Sequence, residues 1–573
     1  MPRANDAVEA VLLEYADLLS ILSSDPYKHR AYEKAARAVG GHATDLAGKE
    51  LKEILQIPGV GKSIGEKIHE YLQTGTMAAL EELRSQIPAG VREMISVPGL
   101  GPKKAMILYR DLGIAGIDAL QAAVEAGQLA DLKGFGARTE ENVRRGIERL
   151  QQQGDRALVS VAMDLADAFI ERLGGRREVK RIDYAGSLRR MGETIGDLDL
   201  LVASEDPVAV MDAFTSVDLV ERVLAKGETK SSVLTRTGLQ VDLRVVPLEA
   251  WGAAMIYFTG SKPHNIRIRE MAVRKGLKLN EYGLFRAKSG RLIVARTEEE
   301  VYERLGLPWI PPTLREDRGE VEAALDGTLP DVLTPRQIRG DLHTHTRLTD
   351  GLATLEEMLE AASELTYAYY AVTDHAPNLF MQRMTDDKML AQREELRALQ
   401  PRYPKMTLLH GSELNIDPDG NVDWGPEFLE GFDVCVASVH SHFTQPKDDM
   451  TRRIVRAMEN PHVHIIGHPT ARLINKRQPI EYDLDEVFKA AARTGTALEV
   501  NGYPDRLDLK DEHVLWARRH GVKFAVDTDS HATTHLANMR YGVATAQRGW
   551  LTKDDVINAW PLSRLRAFLG KGR

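Results

Sequence analysis

Two short stretches carry residues suited to phosphate chemistry. In YAGSLRRMGETIGDLDLL, residues 184–201, Asp197 and Asp199 interrupt an apolar run. On an extended strand residues i and i+2 face one side, so both carboxylates point together. Paired like charges need a counter-cation, and hard oxygen donors suit Mg²⁺ or Mn²⁺. A two-metal centre of this kind activates an attacking oxygen and stabilises a leaving one during in-line phosphoryl transfer. Asp242 in LQVDLRVV offers a third carboxylate, and Gly186 and Ser187 open a turn whose N–H groups and hydroxyl can hold a triphosphate, with Arg190 close by. The competing reading, a polar strand edge that happens to carry Asp-Leu-Asp, leaves the Gly-Ser turn and the third aspartate unexplained.

The second stretch is GDLHTHTRLTDG, residues 340–351, where His343 and His345 share a face and Asp350 follows in the turn. Further on come His375 in TDH, Glu413 in GSELN, His440 in SVHSH, His468 in GHP, and Asp529 with His531 in DTDSH. All nine lie at or just after the ends of strand-like runs. Of 17 histidines, 4 precede residue 340 and 13 follow it, which points to metal chemistry in the second part. Imidazole and carboxylate without thiolate favour Mn²⁺, Zn²⁺ or iron.

The elements that must position these groups differ along the chain. At 573 residues it exceeds the size at which one hydrophobic core stops growing, so several domains are expected. Residues 7–85 carry apolar positions at helical spacing. LQIPGVGKSIGEKIHEYL (55–72) and ISVPGLGPKKAMILYRDL (95–112) repeat one phrase, apolar-Pro-Gly-apolar-Gly and then a helix pattern; LADLKGFGARTEENVRRGI (129–147) is a weaker copy. From 156 to 250, strand-like RIDYAGS, DLDLLVAS, SSVLTRT and LQVDLRVVP surround helical PVAVMDAFTSV, and residues 251–310 read as helices and short turns. Beyond 338, apolar runs alternate with helical segments, which predicts a parallel sheet closing as a barrel with its C-terminal strand ends at one mouth.

Composition excludes several classes. Hydrophobic residues make up 43% and charged residues 28%, as in a folded globular protein. The single cysteine, Cys435, rules out a disulfide framework and cysteine-based zinc modules, and fits a reducing cytosol. No window supplies a membrane span or an export signal, so a cytoplasmic, membrane-free monomer is expected. Net charge is −9; Lys+Arg against Asp+Glu is 45 to 47 up to residue 320 and 30 to 37 beyond it, so any nucleic-acid contact must be local.

The first constellation resembles the family X DNA polymerases, a branch of the nucleotidyltransferases, and YFTGSKPHNIRIRE (257–270) strengthens the match. The resemblance implies that Tyr257, Phe258, Gly260 and Ser261 flank the bound nucleotide. It also implies that Lys262 adds a phosphate contact, Asn265 touches the minor-groove edge of the nucleotide, and Arg269 touches the template side. The repeated phrases resemble helix-hairpin-helix motifs, whose small residues let backbone N–H groups approach phosphates without reading sequence. Gly59, Gly61, Gly99 and Gly101 would serve this contact. By the same resemblance Lys67 would form a Schiff base with a 5′-deoxyribose phosphate, with Lys28 and Tyr32 as phosphate or pocket neighbours.

The second constellation resembles the polymerase and histidinol phosphatase (PHP) domain and matches its trinuclear site. His343, His345, Glu413 and Asp529 would hold one Mn²⁺ or Zn²⁺, Glu413 would bridge to a second with His440 and His468, and Asp350, His375 and His531 would take the third. His410, His442, His462 and His464 have no role in the pattern. The implied architecture is a multidomain chain. It runs as a helical lyase-like domain (1–85), a second helix-hairpin-helix, fingers-like domain (86–155), an α+β nucleotidyltransferase palm (156–250), a nucleotide-selecting thumb-like region (251–315), a linker (316–337) and a distorted α/β barrel (338–573). The implied function is a repair polymerase that takes dNTPs and fills short gaps in gapped or nicked DNA. Its PHP half would be a 3′–5′ exonuclease or 3′-end-processing phosphoesterase that also acts at abasic sites. The alternatives are a small-molecule phosphatase or pyrophosphatase in the PHP half, or an inactive DNA end-binding scaffold.

Overall fold

The computed structural model describes residues 4–570 except 23–27, 41, 43, 58, 96, 98, 99, 130, 131, 133, 134, 137, 138, 142, 145, 148–155 and 380–383. Gly99 lies outside the described residues. The chain divides into two compact units, Gly154–Thr334 with Val543–Thr552, and Pro2–Gln153 with Pro335–Gly542 and Lys553–Arg573. No helix among the described residues is long and apolar enough to cross a membrane.

In the first unit a five-stranded sheet carries the paired aspartates. Its strands are β1 (Arg181–Tyr184), β2 (Asp197–Ala203), β3 (Val220–Lys226), β4 (Lys230–Thr235) and β5 (Gln240–Val246), in the order β1-β2-β5-β4-β3. β2 and β5 run parallel and their register sets Asp199 directly opposite Asp242. Strand β3 escaped the sequence reading because it is an edge strand paired only with β4, and its VERVLAK residues face solvent along nearly the whole length.

Helices Trp251–Thr259 and Lys262–Arg274 follow the sheet, and then three short antiparallel strands, β6 (Leu277–Asn280), β7 (Gly283–Arg286) and β8 (Leu292–Val294). The expectation of helices and turns alone over 251–310 is corrected here. Each strand has only three or four residues and tight turns separate them, so no alternating pattern is long enough to read. The expected linker at 316–337 is also packed: helix Glu320–Leu325 buries Val321 and Ala324, with Val332, in one core with Ile256, Ile268, Tyr302 and Ile310. Its proline and charge content reads as a tether, yet Glu320 is wholly buried against His264 at 2.6 Å.

In the second unit, the helical part places Gly61 and Gly101 of the two repeated phrases at helix starts. Gly61 caps Lys62–Thr74 and Gly101 caps Pro102–Leu112, and the two turns are closed by matching bonds from Val60 N to Ile57 O (3.0 Å) and from Leu100 N to Val97 O (2.9 Å). The rest of this unit is a seven-stranded parallel sheet in sequence order, β9 (Gly340–Asp341), β10 (Tyr369–Val372), β11 (Thr407–Asn415), β12 (Val434–Ser438), β13 (Ile465–Ile466), β14 (Ala497–Asn501) and β15 (Phe524–Asp527). Most of its strands are buried throughout, as in a sheet covered on both faces. Just past β9 and β15, Thr344 bridges Ser530 and His345 N donates to Ser530 O at 2.8 Å, so the sheet nearly closes as the barrel that was expected.

Candidate active sites

The register of β2 on β5 builds the first site. Asp197 opens β2 in solvent, while Asp199, two residues on, faces Asp242. Burial, and then the charges of Asp197 and Asp242, push the Asp199 carboxyl up to about 7. Asp242 goes the other way. Burial works to raise it, but hydrogen bonds from Lys230 (2.8 Å), Gln240 (2.8 Å) and Ser232 prevail and hold it below the usual range. Three carboxylates thus lie close enough that the charges of two of them disfavour ionisation of Asp199.

The Gly-Ser turn sits against these carboxylates. Ala185 N donates to Asp199 O at 2.8 Å, and Gly186 has φ +58° with the Asp199 carboxylate where a Cβ would project. Only glycine meets both conditions. Arg190 leaves this turn and donates to Thr259 O at 2.6 Å, which ties it to the Tyr257–Ser261 segment. There Tyr257 and Phe258 pack edge to face at 5.0 Å, with Arg269 over Tyr257 (5.1 Å) and Arg244 over Phe258 (4.8 Å). Ser261 caps Lys262–Arg274, and Lys262 is exposed at its start. Asn265 is 5% exposed and donates to Tyr257 O at 2.7 Å, so it holds the tyrosine's main chain in place.

In the helical part of the other unit, Lys67 Nζ donates to Ser63 Oγ at 3.1 Å and Lys28 is exposed. Tyr32 is 4% exposed and packs edge to face on Tyr15 at 4.6 Å within the helical core.

The second site gathers all nine expected residues at the C-terminal ends of the barrel strands. Glu413 stands at the centre. Its Oε1 lies 3.0 Å from His440 Nε2 and 2.9 Å from His468 Nε2, and its Oε2 lies 2.9 Å from His375 Nδ1, 3.5 Å from His343 Nε2 and 3.6 Å from His345 Nε2. Asp529 Oδ1 faces His345 Nε2 at 3.2 Å and His343 Nε2 at 3.7 Å, while Asp350 Oδ1 is 3.4 Å from both His375 Nε2 and His531 Nε2.

The donor set fits metal ions. Nε2 of His343 and both ring nitrogens of His345 are buried yet make no hydrogen bond among the described residues. Separations of 3.5 to 3.7 Å from His343 Nε2 and His345 Nε2 to the carboxylates of Glu413 and Asp529 are too long for good hydrogen bonds and match neighbouring donors each ~2.1 Å from a shared ion. Three groups converge: His343, His345 and Asp529; His375, Glu413 and His440; and His345, Asp350, His375 and His531. His375 thus stands between Asp350 and Glu413, a division the sequence does not reveal. Burial, joined by His531 and His375, pushes His345 down to about 4, and burial with Arg506 pushes His468 down to about 3, so both imidazoles are neutral and able to ligate.

Sequence reasoning missed the residues behind this set. Glu499 Oε1 accepts from His343 Nδ1 at 2.7 Å and Asn415 Oδ1 from His440 Nδ1 at 2.7 Å, which turns each Nε2 toward the site. Arg506 Nε lies 3.4 Å from Asp529 Oδ2. The available signal is β14: none of the nine ligands lies on it or just after it, yet Glu499 lies on it and Arg506 in the loop beyond.

The chain matches four family models: a helix-hairpin-helix domain over residues 3–77, a SAM-like helix-hairpin-helix tandem over 91–149, the DNA polymerase beta thumb over 254–316 and the PHP domain over 341–502. It is 35% identical over 554 residues to the DNA polymerase/3′-5′ exonuclease PolX of Bacillus subtilis (strain 168), covering 96% of both chains. A probable phosphatase of Thermoanaerobacter sp. (strain X514) is 30% identical over 230 residues, 38% of this chain and 89% of the relative. DNA polymerase lambda of Rattus norvegicus is 26% identical over 326 residues, 52% of this chain and 53% of the relative. With its aspartate-bearing sheet, its ring of barrel-end donors and this end-to-end match, the chain belongs to the family X DNA polymerases that carry a C-terminal PHP domain.

Proposed function

We propose that the chain is a DNA repair polymerase that adds dNMP from dNTP at Asp197, Asp199 and Asp242 and shortens or cleans 3′ ends by phosphodiester hydrolysis at the PHP site. The observation that carries the reading is that one chain sets Asp199 opposite Asp242 by strand register and gathers eight His, Asp and Glu side chains in three donor groups at the barrel mouth, with His468 beside Glu413. Mg²⁺ or Mn²⁺ at the aspartates, and up to three Mn²⁺ or Zn²⁺ ions at the PHP donors, would supply Lewis-acid stabilisation of charge on phosphate oxygens.

The chain's own residues do the positioning. The Gly186–Ser187 turn and Arg190 hold the triphosphate, Tyr257 and Phe258 flank the sugar and base, and Asn265 fixes Tyr257 while presenting its remaining carboxamide oxygen. Lys262 and Arg269 contact phosphate and template. Asp242, kept ionised by Lys230, orients the primer terminus. At the PHP mouth His343, His345, Asp350, His375, Glu413, His440, His468, Asp529 and His531 hold the ions, and the Arg506 guanidinium faces the phosphate leaving the 3′ end. Gly59, Gly61 and Gly101 present helix-start N–H groups to DNA phosphates.

A labelled primer on DNA with a one-nucleotide gap, incubated in Mn²⁺ with and without dNTP, tests both halves. Extension lost in Asp197→Ala with shortening intact, and shortening lost in His343→Ala with extension intact, is the expected pattern. If the wild-type protein does not shorten the primer, the PHP half is not an exonuclease, and the 3′-end role falls.

A lyase role at Lys67 rests on its place in the helix after the first Pro-Gly turn. Borohydride reduction in the presence of 5′-deoxyribose phosphate on incised DNA should cross-link the wild-type protein and lose most of that product in Lys67→Ala. Equal trapping in both removes Lys67 from the reaction.

A further inference from the structure

Three distant segments meet at Arg190. Its Nη1 donates to Thr259 O at 2.6 Å and its Nε to Glu316 Oε1 at 3.0 Å. The third segment is Val543–Thr552, which follows the last PHP ligand by a dozen residues and yet packs as part of the first unit. There Gln547 Nε2 donates to Leu333 O at 2.7 Å, Thr313 Oγ1 to Gln547 Oε1 at 3.1 Å and Leu333 N to Leu551 O at 2.8 Å, and Trp550 packs on the core that contains Ile256 and Tyr302. The segment therefore has a fixed seat, and its Arg548 donates from Nη1 both to the Arg190 carbonyl and to Glu316 Oε1, each at 2.7 Å. The side chains of Arg190, Glu316 and Arg548 are 16%, 19% and 11% exposed, so solvent screens their charges little.

Two cations thus compete for one carboxylate oxygen, and one of them is the residue that faces the triphosphate under the proposed function. An arginine committed to a carboxylate is lost to a phosphate, because both use the same planar fork of donors. We infer that Arg548 is a positioning residue for the incoming nucleotide: by sharing Glu316 Oε1 and holding the Arg190 main chain, it weakens the grip of Glu316 on the Arg190 guanidinium, which can then exchange that carboxylate for the triphosphate. The nucleotide site is then incomplete in a chain that ends at Thr334, since the residue that balances Glu316 is supplied from beyond the PHP ligands.

This rests on the reading of Arg190 as a triphosphate ligand, and the experiment separates the two. With the full-length chain on gapped DNA, kcat and KM for the correct dNTP are measured for the wild type, Arg548→Ala, Arg548→Lys, Glu316→Gln, the double variant Arg548→Ala/Glu316→Gln, and Arg190→Ala as control. Losing a hydrogen bond between charged groups predicts that Arg548→Ala raises KM by about tenfold or more at nearly constant kcat. Arg548→Lys should recover part of the loss. The double variant should recover most of it, because the carboxylate that captures Arg190 has been neutralised. Primer shortening by Arg548→Ala should match the wild type, which also reports that the chain is folded.

A KM unchanged in Arg548→Ala, or one that stays raised in the double variant, overturns the role of Arg548. A KM for Arg190→Ala equal to the wild-type value instead overturns the reading of Arg190 itself, whatever Arg548 does.

Discussion

Asp199→Asn is expected to lower primer extension by about a thousandfold or more while 3′ shortening stays within about twofold of wild type, because the loss of a shared metal ligand removes several kcal/mol of transition-state stabilisation. The residue sits between two other carboxylates, so it is the one whose charge does most to attract cations and most to destabilise the site without them. The same substitution has a second readout that needs no substrate. Burial and its neighbours raise the folded carboxyl to about 7 from an ordinary value of 3.8. The folded chain therefore holds this proton more tightly than the unfolded chain. Its contribution is fully present below pH 3.8 and is lost as pH rises through 7, leaving a penalty of order 4 kcal/mol in the metal-free protein at pH 8. Asp199→Asn removes that penalty, so in the presence of a chelator its melting temperature should exceed the wild-type value at pH 8 by clearly more than at pH 5. Mg²⁺ should narrow the gap by stabilising the wild type. Equal differences at both pH values would show that the site does not strain the carboxylate.

What was legible in the sequence was chemistry carried by local periodicity. Asp197 and Asp199 reveal themselves because a period of two forces them onto one face, and the PHP ligands because each follows a strand-like run. What was not legible depends on register and long-range packing. No local pattern says that Asp242 pairs with Asp199 across a parallel ladder, or that Lys230 holds it ionised from the neighbouring strand. The resemblance puts Tyr32 near the lyase pocket, and nothing local to its helix says that its ring packs on Tyr15. Glu499 reads as an ordinary polar residue in a strand, and its purpose appears only when His343, 156 residues earlier, reaches it. Val543–Thr552 is the extreme case: its sequence follows the PHP ligands, yet its bonds go to Arg190, Thr313, Glu316 and Leu333.

Glu413→Gln should abolish primer shortening, leave extension intact and reduce bound metal by more than one ion per chain. The expectation follows from how the carboxylate is divided: Oε1 serves His440 and His468, and Oε2 serves His375 and reaches to 3.5 and 3.6 Å from His343 and His345, which form a separate donor group with Asp529. Burial disfavours its charge, but the surrounding imidazoles, His440, His375 and His343 foremost, hold the carboxyl well below the usual range. A depressed carboxyl contributes stability that is present above its ordinary value of 4.5 and lost as pH falls through the folded value. The amide keeps the shape while removing the charge and one of the two donor oxygens, so the comparison separates ligation from packing. Loss of a peripheral ligand such as His531 should cost only the ion held with Asp350, because no other group depends on it. Elemental analysis of the two variants after equal Mn²⁺ loading and desalting distinguishes them. If Glu413→Gln and His531→Ala lose the same amount of metal, the carboxylate is not shared and the groups bind their ions independently.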